Sequence, residues 1–356
     1  MKILVIALSG IGDALMFTPS LNKLKEDYPS ARIDVLAMYK GVKEIFENLD
    51  NVNRVLYHDF INSSVLKSLG FVLRLRGEYD ITINVYPSNR REYNLISRII
   101  GSPLRCGVNY LRRNFVNLGF LNNVTITEND NQHNVETNFK LCGKLSGKDP
   151  EQIPPLRLVI SESDEKYAAN FLNDKGIEPK DLVIGFHPGC STLKNHDKRR
   201  WETEKFAKLA STLIERDSAK ILIFGGPEEK DLKLDICSRV NSTSVISVEA
   251  RSILESASVM KRCNVFVSND SSLMHIAAAL KLKTVAILGP TNKNYIYPWQ
   301  TEYRVASLQL ECSPCFYYSP RPLTCSRKDL KFKCIRELNA ETVYNITKDF
   351  LNTGSN

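Results

Sequence analysis

The sequence predicts an α/β protein built as two doubly wound parallel-sheet domains facing across a cleft and ending in a C-terminal helix. Short β-branched apolar runs alternate with amphipathic patterns over residues 2–108 and again over 182–289, the signature of parallel sheets covered on both faces. The two series are separated at 150–160, where Pro150, Pro154 and Pro155 deny continuous helix. A length of 356 residues accommodates two such domains.

In the first half, strands are expected at 2–8, 31–37, 52–57, 80–86 and 104–108, with helices at 13–28, 41–49, 62–76 and 90–100. Residues 122–132 are polar and turn-rich, and a helix at 133–146 follows. In the second half, strands are expected at 182–187, 219–225, 243–247, 264–268 and 284–289. Helices are expected there at 202–216, 228–240, 251–262 and 271–281, and a last one at 339–352. The domains are thus 1–155 and 156–356, with the final helix expected to reach back to the first. In such sheets ligands bind outside the carboxyl ends of the strands, so the loops there are where chemistry is sought.

Composition narrows the classes. A hydrophobic fraction of 43% and a charged fraction of 25% are ordinary for a globular chain. A net charge of +8 is too modest for a dedicated nucleic-acid binder. It suits anionic small molecules, an anionic membrane surface, or simply a mildly basic exterior. Met1-Lys2 leads into an apolar run that stops at Ser9-Gly10, too short for a signal peptide, and no stretch of about 20 apolar residues occurs, so the expected location is cytoplasmic.

Three stretches carry chemistry. After the first strand comes Gly10-Ile11-Gly12-Asp13, in which the glycines permit a tight turn and close ligand approach. The spacing is not the dinucleotide fingerprint. Asp13 falls in the first helical turn, as a helix-terminal carboxylate or as a general base on an acceptor hydroxyl. In the second half His187-Pro188-Gly189, Ser191 and Thr192 precede Lys194, Lys198, Arg199, Arg200 and Trp201, a loop and cations suited to a pyrophosphate or to solvent. Asn269-Asp270-Ser271-Ser272-Leu273 then leads through His275 into an alanine run, an anion cradle at a helix N-terminus. Gly289-Pro290-Thr291 ends the next strand, and Glu228 after Gly225-Gly226-Pro227 offers a carboxylate for a ribose. The set is a candidate nucleotide-diphosphate site.

These motifs, in this order along essentially the whole chain, resemble the bacterial heptosyltransferases of glycosyltransferase family nine. The resemblance implies the GT-B fold of two Rossmann-like domains, with acceptor binding in 1–155 and donor binding in 156–356. It implies inverting, metal-independent transfer of a sugar from a nucleotide-diphosphate sugar, ADP-heptose being favoured, onto a lipopolysaccharide-type glycolipid core. Asp13 is then the catalytic base, Lys198 or Arg199 neutralises the departing pyrophosphate, and the amides around Ser271 hold it. His187, Ser191, Thr192, Glu228, Asp270, Ser272, Leu273, His275, Gly289 and Thr291 complete the donor set. Gly10, Gly12, Arg90 and Arg112 lie on the acceptor side, with Arg91 and Arg113 beside them. Two positions depart from the family pattern: Glu202 follows Trp201 where proline is usual, and Ser272 stands where glycine is usual.

Five of the nine cysteines are scattered singly, whereas Cys312, Cys315, Cys325 and Cys334 cluster. A Cys-x-x-Cys pair with two further thiols suits structural zinc, although the second pair is spaced too widely, and reduced thiols or a disulfide are the alternatives. With no membrane segment, contact with a glycolipid is expected to be peripheral, at the inner face of the membrane, through a basic and apolar N-terminal surface. Two other functions fit the same motifs: a GT-B hydrolase or epimerase turning over donor alone, and a nucleotide-sugar binding protein without catalysis.

Overall fold

The first apolar run, Lys2–Ala7 (β1), is a central strand of a six-stranded parallel sheet in the computed structural model, which describes residues 1–148, 152–318 and 321–353. β2 (Arg32–Ala37) and β3 (Arg54–Tyr57) extend the sheet on one side of β1. β4 (Ile81–Asn84), β5 (Leu104–Asn109) and β6 (Val124–Thr127) extend it on the other, giving the order β3-β2-β1-β4-β5-β6. Alternation along β1 sends Ile3, Val5 and Ala7 to one face and Leu4 and Ile6 to the other, and both sets are buried. The first face is covered by α1 (Ile11–Asp27), α2 (Lys40–Glu47) and α5 (Asn134–Ser146), the second by α3 (Val65–Leu73) and α4 (Arg91–Ile100). Pro19 lies inside α1 and supplies no amide to Leu15; the Thr18 hydroxyl donates to that carbonyl instead, at 2.7 Å.

A second six-stranded parallel sheet has β7 (Val183–His187), β8 (Lys220–Ile223) and β9 (Val245–Ser247) running one way from its centre. β10 (Val265–Asn269), β11 (Thr284–Ile287) and β12 (Tyr303–Ala306) run the other, in the order β12-β11-β10-β7-β8-β9. Its helices are α6 (Glu162–Asp174), α7 (Thr203–Asp217), α8 (Lys230–Val240), α9 (Ile253–Met260), α10 (Ser272–Ala279), the short α11 (Lys293–Ile296) and α12 (Lys333–Arg336), and α13 (Ala340–Asn352). Gly185 in β7 is demanded by packing, since a Cβ there would lie 2.5 Å from the Phe266 ring.

The chain divides into Met1–Val159 with Tyr318–Pro320, and Ile160–Tyr317 with Arg321–Asn356. The crossing comes four residues beyond the expected 155 because 156–159 are tied to the first unit. The Arg157 amide donates to Thr18 Oγ1 at 2.9 Å, its guanidinium meets Asp50 at 2.7 Å, and Val159 packs on the first core. Pro150 and Glu151, at the start of the expected 150–160 linker, lie outside the described residues. Tyr318 returns to the first unit, accepting a 2.7 Å bond from Asn134 and packing edge-to-face on Tyr86.

β6 lies in the stretch read as turn, and β12, α6 and the short α11 and α12 were unassigned. Both strands are sheet edges with mixed sequences, Val-Thr-Ile-Thr and Tyr-Arg-Val-Ala, and α6 buries only Ala168. None needs a strong apolar pattern. The final helix also differs: α13 stays with the second unit, because Val343 and Phe350 are fully buried beside Leu213 and Ile335. Lys283 and Arg304 sit over the Phe350 ring at 5.2 and 4.8 Å. Phe350→Ala is therefore expected to lower unfolding free energy by about 3–5 kcal/mol, read from urea melts as a lower midpoint.

Candidate functional site

In the second unit strand order reverses between β7 and β10, whose ends pair His187 with Ser268. This is the switch point where open α/β sheets bind ligands. Buried Asn269 knits the loops there: Nδ2 donates to the Pro188 carbonyl at 2.7 Å, and Oδ1 accepts from the Trp201 amide at 3.1 Å. His187 is held from both sides, with Nε2 3.0 Å from Glu229 Oε2 and Nδ1 2.7 Å from Ser271 Oγ. A carboxylate only accepts, so Nε2 carries a proton and, in the neutral ring, Nδ1 accepts the Ser271 hydroxyl. Burial alone would raise the Glu229 carboxyl. His187, the Gly226 amide and Arg200 instead hold it below its ordinary value. Gly189 is required beside it, because a Cβ would overlap the Glu229 carboxylate.

Ser271 is the N-cap residue of α10, yet its hydroxyl turns to His187 and Ser268 and does not cap the helix. The positive end of α10 is thus left for an anion. Arg199 stands beside it: Nη1 donates to Asp270 Oδ2 at 2.5 Å and to Thr291 Oγ1 at 3.4 Å, and its plane lies 5.3 Å from the Phe316 ring. Thr291 Oγ1 also donates to Asp270, at 2.6 Å. The pair is nearly buried, and among the described residues no acceptor meets Arg199 Nε. A fixed guanidinium at a helix N-terminus suits a pyrophosphate.

The other expected donor residues separate into groups. Lys198 is half-exposed, pairs with Asp197 at 3.4 Å, and lines a hollow of about 300 Å³ with Arg200, Trp201 and Arg336. Of the two cations only Arg199 joins the cradle. Glu228 is exposed, while Glu229, passed over in the sequence reading, faces His187; only the turn at Pro227–Glu229 decides which carboxylate points inward. Ser191 and Thr192 are exposed, Ser272 is half-buried and Leu273 is buried. Gly289 has a packing reason, since a Cβ would lie 2.4 Å from Ile335 Cγ1. His275 is buried behind Asp270; burial pushes it down to about 4, partly offset by that carboxylate, so it is neutral near pH 7.

In the first unit the corresponding switch point lies between β1 and β4. Asp13 is at the third position of α1, and its Oδ2 accepts the Gly10 amide at 3.2 Å. A Cβ on Gly10 would meet nothing closer than Asp13 Oδ2 at 3.7 Å, so the fold itself does not require that glycine. Gly12 is buried in the same turn, and Arg90 is the N-cap residue of α4. Arg112 makes a two-pronged pair with Asp130 at 2.9 and 2.6 Å, so most of its charge is already matched. The polar cluster at the ends of β4–β6 went unnoticed in the sequence. Buried Glu128 accepts from Tyr86 Oη at 2.8 Å and from the Leu111 amide at 3.0 Å, and burial raises its carboxyl. Scattered tyrosines and asparagines carry no spacing signal that could have revealed it.

The four clustered cysteines are free thiols. Among the described residues no three His, Cys, Asp or Glu side chains are gathered as a metal site requires. They sit on separate segments yet lie near one another: burial, and then the neighbouring Cys315, Cys325 and Cys312, push the Cys334 thiol up. Cys312 Sγ accepts from Arg327 at 3.6 Å, Cys325 Sγ accepts from the Phe332 amide at 3.3 Å, and Cys334 is buried in α12.

Two doubly wound parallel-sheet domains, each with loops gathered at its switch point, are the GT-B architecture. The chain belongs to glycosyltransferase family 9 (heptosyltransferase), whose family model matches residues 69–323. It is 27% identical over 322 residues to lipopolysaccharide heptosyltransferase 2 of Escherichia coli K12, spanning 86% of this chain and 88% of that one. Its fold is similar to that of E. coli ADP-heptose lps heptosyltransferase II, with a TM-score of 0.74 at 22% identity and full coverage of both chains. A family 9 glycosyl transferase from Veillonella parvula gives 0.76 at 21% identity, covering 99% of this chain and 97% of that one.

The buried neutral His275 sets a pH dependence. Its folded value of about 4 lies below the ordinary 6.5, so between these the unfolded chain binds a proton that the folded one does not. Stability therefore falls as pH drops from 6.5 towards 4, by about 3 kcal/mol at the low end. His275→Gln is expected to flatten the curve by that amount relative to wild type, measured by urea unfolding across this window.

Proposed function

We propose that this transferase moves a heptose from ADP-heptose onto the core of a lipopolysaccharide-type glycolipid, with inversion and without a divalent metal. Asp13 takes the proton of an acceptor hydroxyl, whose oxygen attacks the anomeric carbon as the bond to the β-phosphate oxygen breaks. The leaving ADP carries the negative charge into the cradle of Arg199 and the α10 N-terminus. The observation that carries this reading is Arg199, locked by Asp270 and Thr291 beside an uncapped helix end. A preorganised cation there supplies the stabilisation that other enzymes draw from a bound metal. Arg199, and not Lys198, is the residue assigned to the phosphate. His187, fixed between Glu229 and Ser271, orients the same loops.

On the acceptor side Arg90 is the arginine assigned to an anionic group, since Arg112 is occupied by Asp130. The domain roles follow, with the acceptor on the first unit and the donor on the second. Among the described residues no helix is long and apolar enough to cross a membrane, so a lipid-borne acceptor is met at the surface, which we assign to the cytoplasmic face.

Calorimetry with a panel of nucleotide-diphosphate sugars, paired with a transfer assay, tests this. Asp13→Asn is expected to bind ADP-heptose as wild type does while transfer falls by about 10²–10⁴-fold. Arg199→Lys keeps a charge against Asp270 but loses the fork, and is expected to weaken ADP binding by about tenfold. Undiminished transfer by Asp13→Asn would sink the base assignment. Donor turnover without any acceptor would identify a hydrolase or epimerase instead.

A further inference from the structure

The outer layer of the first unit presents a surface that its own packing does not explain. α3 reads Val-Leu-Lys-Ser-Leu-Gly-Phe-Val-Leu, yet Val72 is the only buried residue in it. Val65 and Leu66 are 82% and 81% exposed, and Leu69 and Leu73 are exposed as well. α3 packs on α4, and α4 packs on the single turn at Gly119–Leu121, where Phe115 and Phe120 form an exposed ring pair 5.5 Å apart. Of the fourteen large apolar side chains exposed among the described residues, eleven lie between Ile61 and Phe120. A soluble surface scatters such residues, and a concentration of them marks a contact.

Charge gathers on the same stretch. Residues 61–120 hold nine lysines and arginines against three acids, six of the chain's eight net positive charges. Lys67, Arg74 and Arg76 flank the apolar side chains of α3, and Arg98 and Arg113 stand exposed on the neighbouring elements. Apolar side chains set among cations complement a lipid surface with anionic headgroups, where the chains enter the boundary and the cations meet the phosphates. A protein partner of matching acidity would not call for unshielded aliphatic side chains along a whole helix.

We propose that α3, with the loop carrying Phe115 and Phe120, docks this protein on an anionic phospholipid bilayer. The proposal deepens the glycolipid-acceptor reading and rests on it for its purpose, but its test stands apart. Vesicles of phosphatidylcholine with phosphatidylglycerol are sedimented with the full chain, alongside vesicles of phosphatidylcholine alone. Val65→Glu with Leu66→Glu places acids in the first turn of α3, where they favour the helix. A second variant, Phe115→Ser with Phe120→Ser, probes the loop without touching α3. Wild type is expected to bind the anionic vesicles, more weakly as salt rises, and each variant to lose about tenfold or more in affinity. Transfer to a delipidated, soluble acceptor is expected to be unchanged in both variants. Vesicle binding by the variants equal to wild type, or none by wild type, overturns the proposal. A dimer in light scattering that the variants abolish, with no vesicle binding, overturns it in favour of a second copy. If no soluble acceptor is glycosylated while the variants still lose vesicle binding, the acceptor reading fails and the docking surface stands.

Discussion

The side chain of Asn269 is the constraint on which the second unit's site depends. It is fully buried at the end of β10, and its amide joins the loop after β7 to the segment that enters α7. Both bonds lie in a medium where an unmade hydrogen bond is costly, so neither loop moves independently. Trp201, drawn in by its backbone amide, seats its indole N–H on the Leu338 carbonyl, which brings the chain before α13 into the same arrangement. Two residues before Trp201, Arg199 turns towards Asp270.

The neighbouring groups belong to the same logic. An unopposed carboxylate at 270 would repel a phosphate, but here it is already matched by Arg199 and Thr291. Asp270 acts as an anchor for the cation, whose Nη2 also lies 3.4 Å from His196 Nδ1. The Ser271 hydroxyl, committed to His187, leaves the helix terminus undiminished. Several residues that read as ligands from sequence therefore bond one another: Asp270 and Thr291 hold Arg199, and Ser271 holds His187.

How much was legible follows from the kind of signal each feature carries. Interior strands such as β1 and β10 were legible because burial on both faces forces continuous apolar runs. Edge strands β6 and β12 are relieved of that demand and were missed. The loops at the switch point were legible because glycine, serine and asparagine cluster where backbone must approach closely. Which of two adjacent side chains points inward was not. Glu228 and Glu229, and Lys198 and Arg199, are equivalent as letters and differ only through the local backbone turn. Gly189 and Gly289 look alike in the sequence as well, and both prove to be steric requirements, one against Glu229 and one against Ile335.

The distribution of surface follows from a different balance. A helix as apolar as α3 gains stability in proportion to what it covers, and with Val72 alone buried it gains little. Selection for stability would replace Val65 and Leu66 with polar helix formers at no cost to the core. On the docking surface proposed above such side chains gain a use outside the fold, and their arginine and lysine neighbours fit an anionic bilayer. Among the described residues the second unit has only Leu193 and Leu234 exposed in the same way, and its nearly buried Arg199 is spent on an internal carboxylate. The two sheets share one plan, but one unit seats an arginine on Asp270 beside a helix N-terminus while the other spreads cations among exposed apolar side chains.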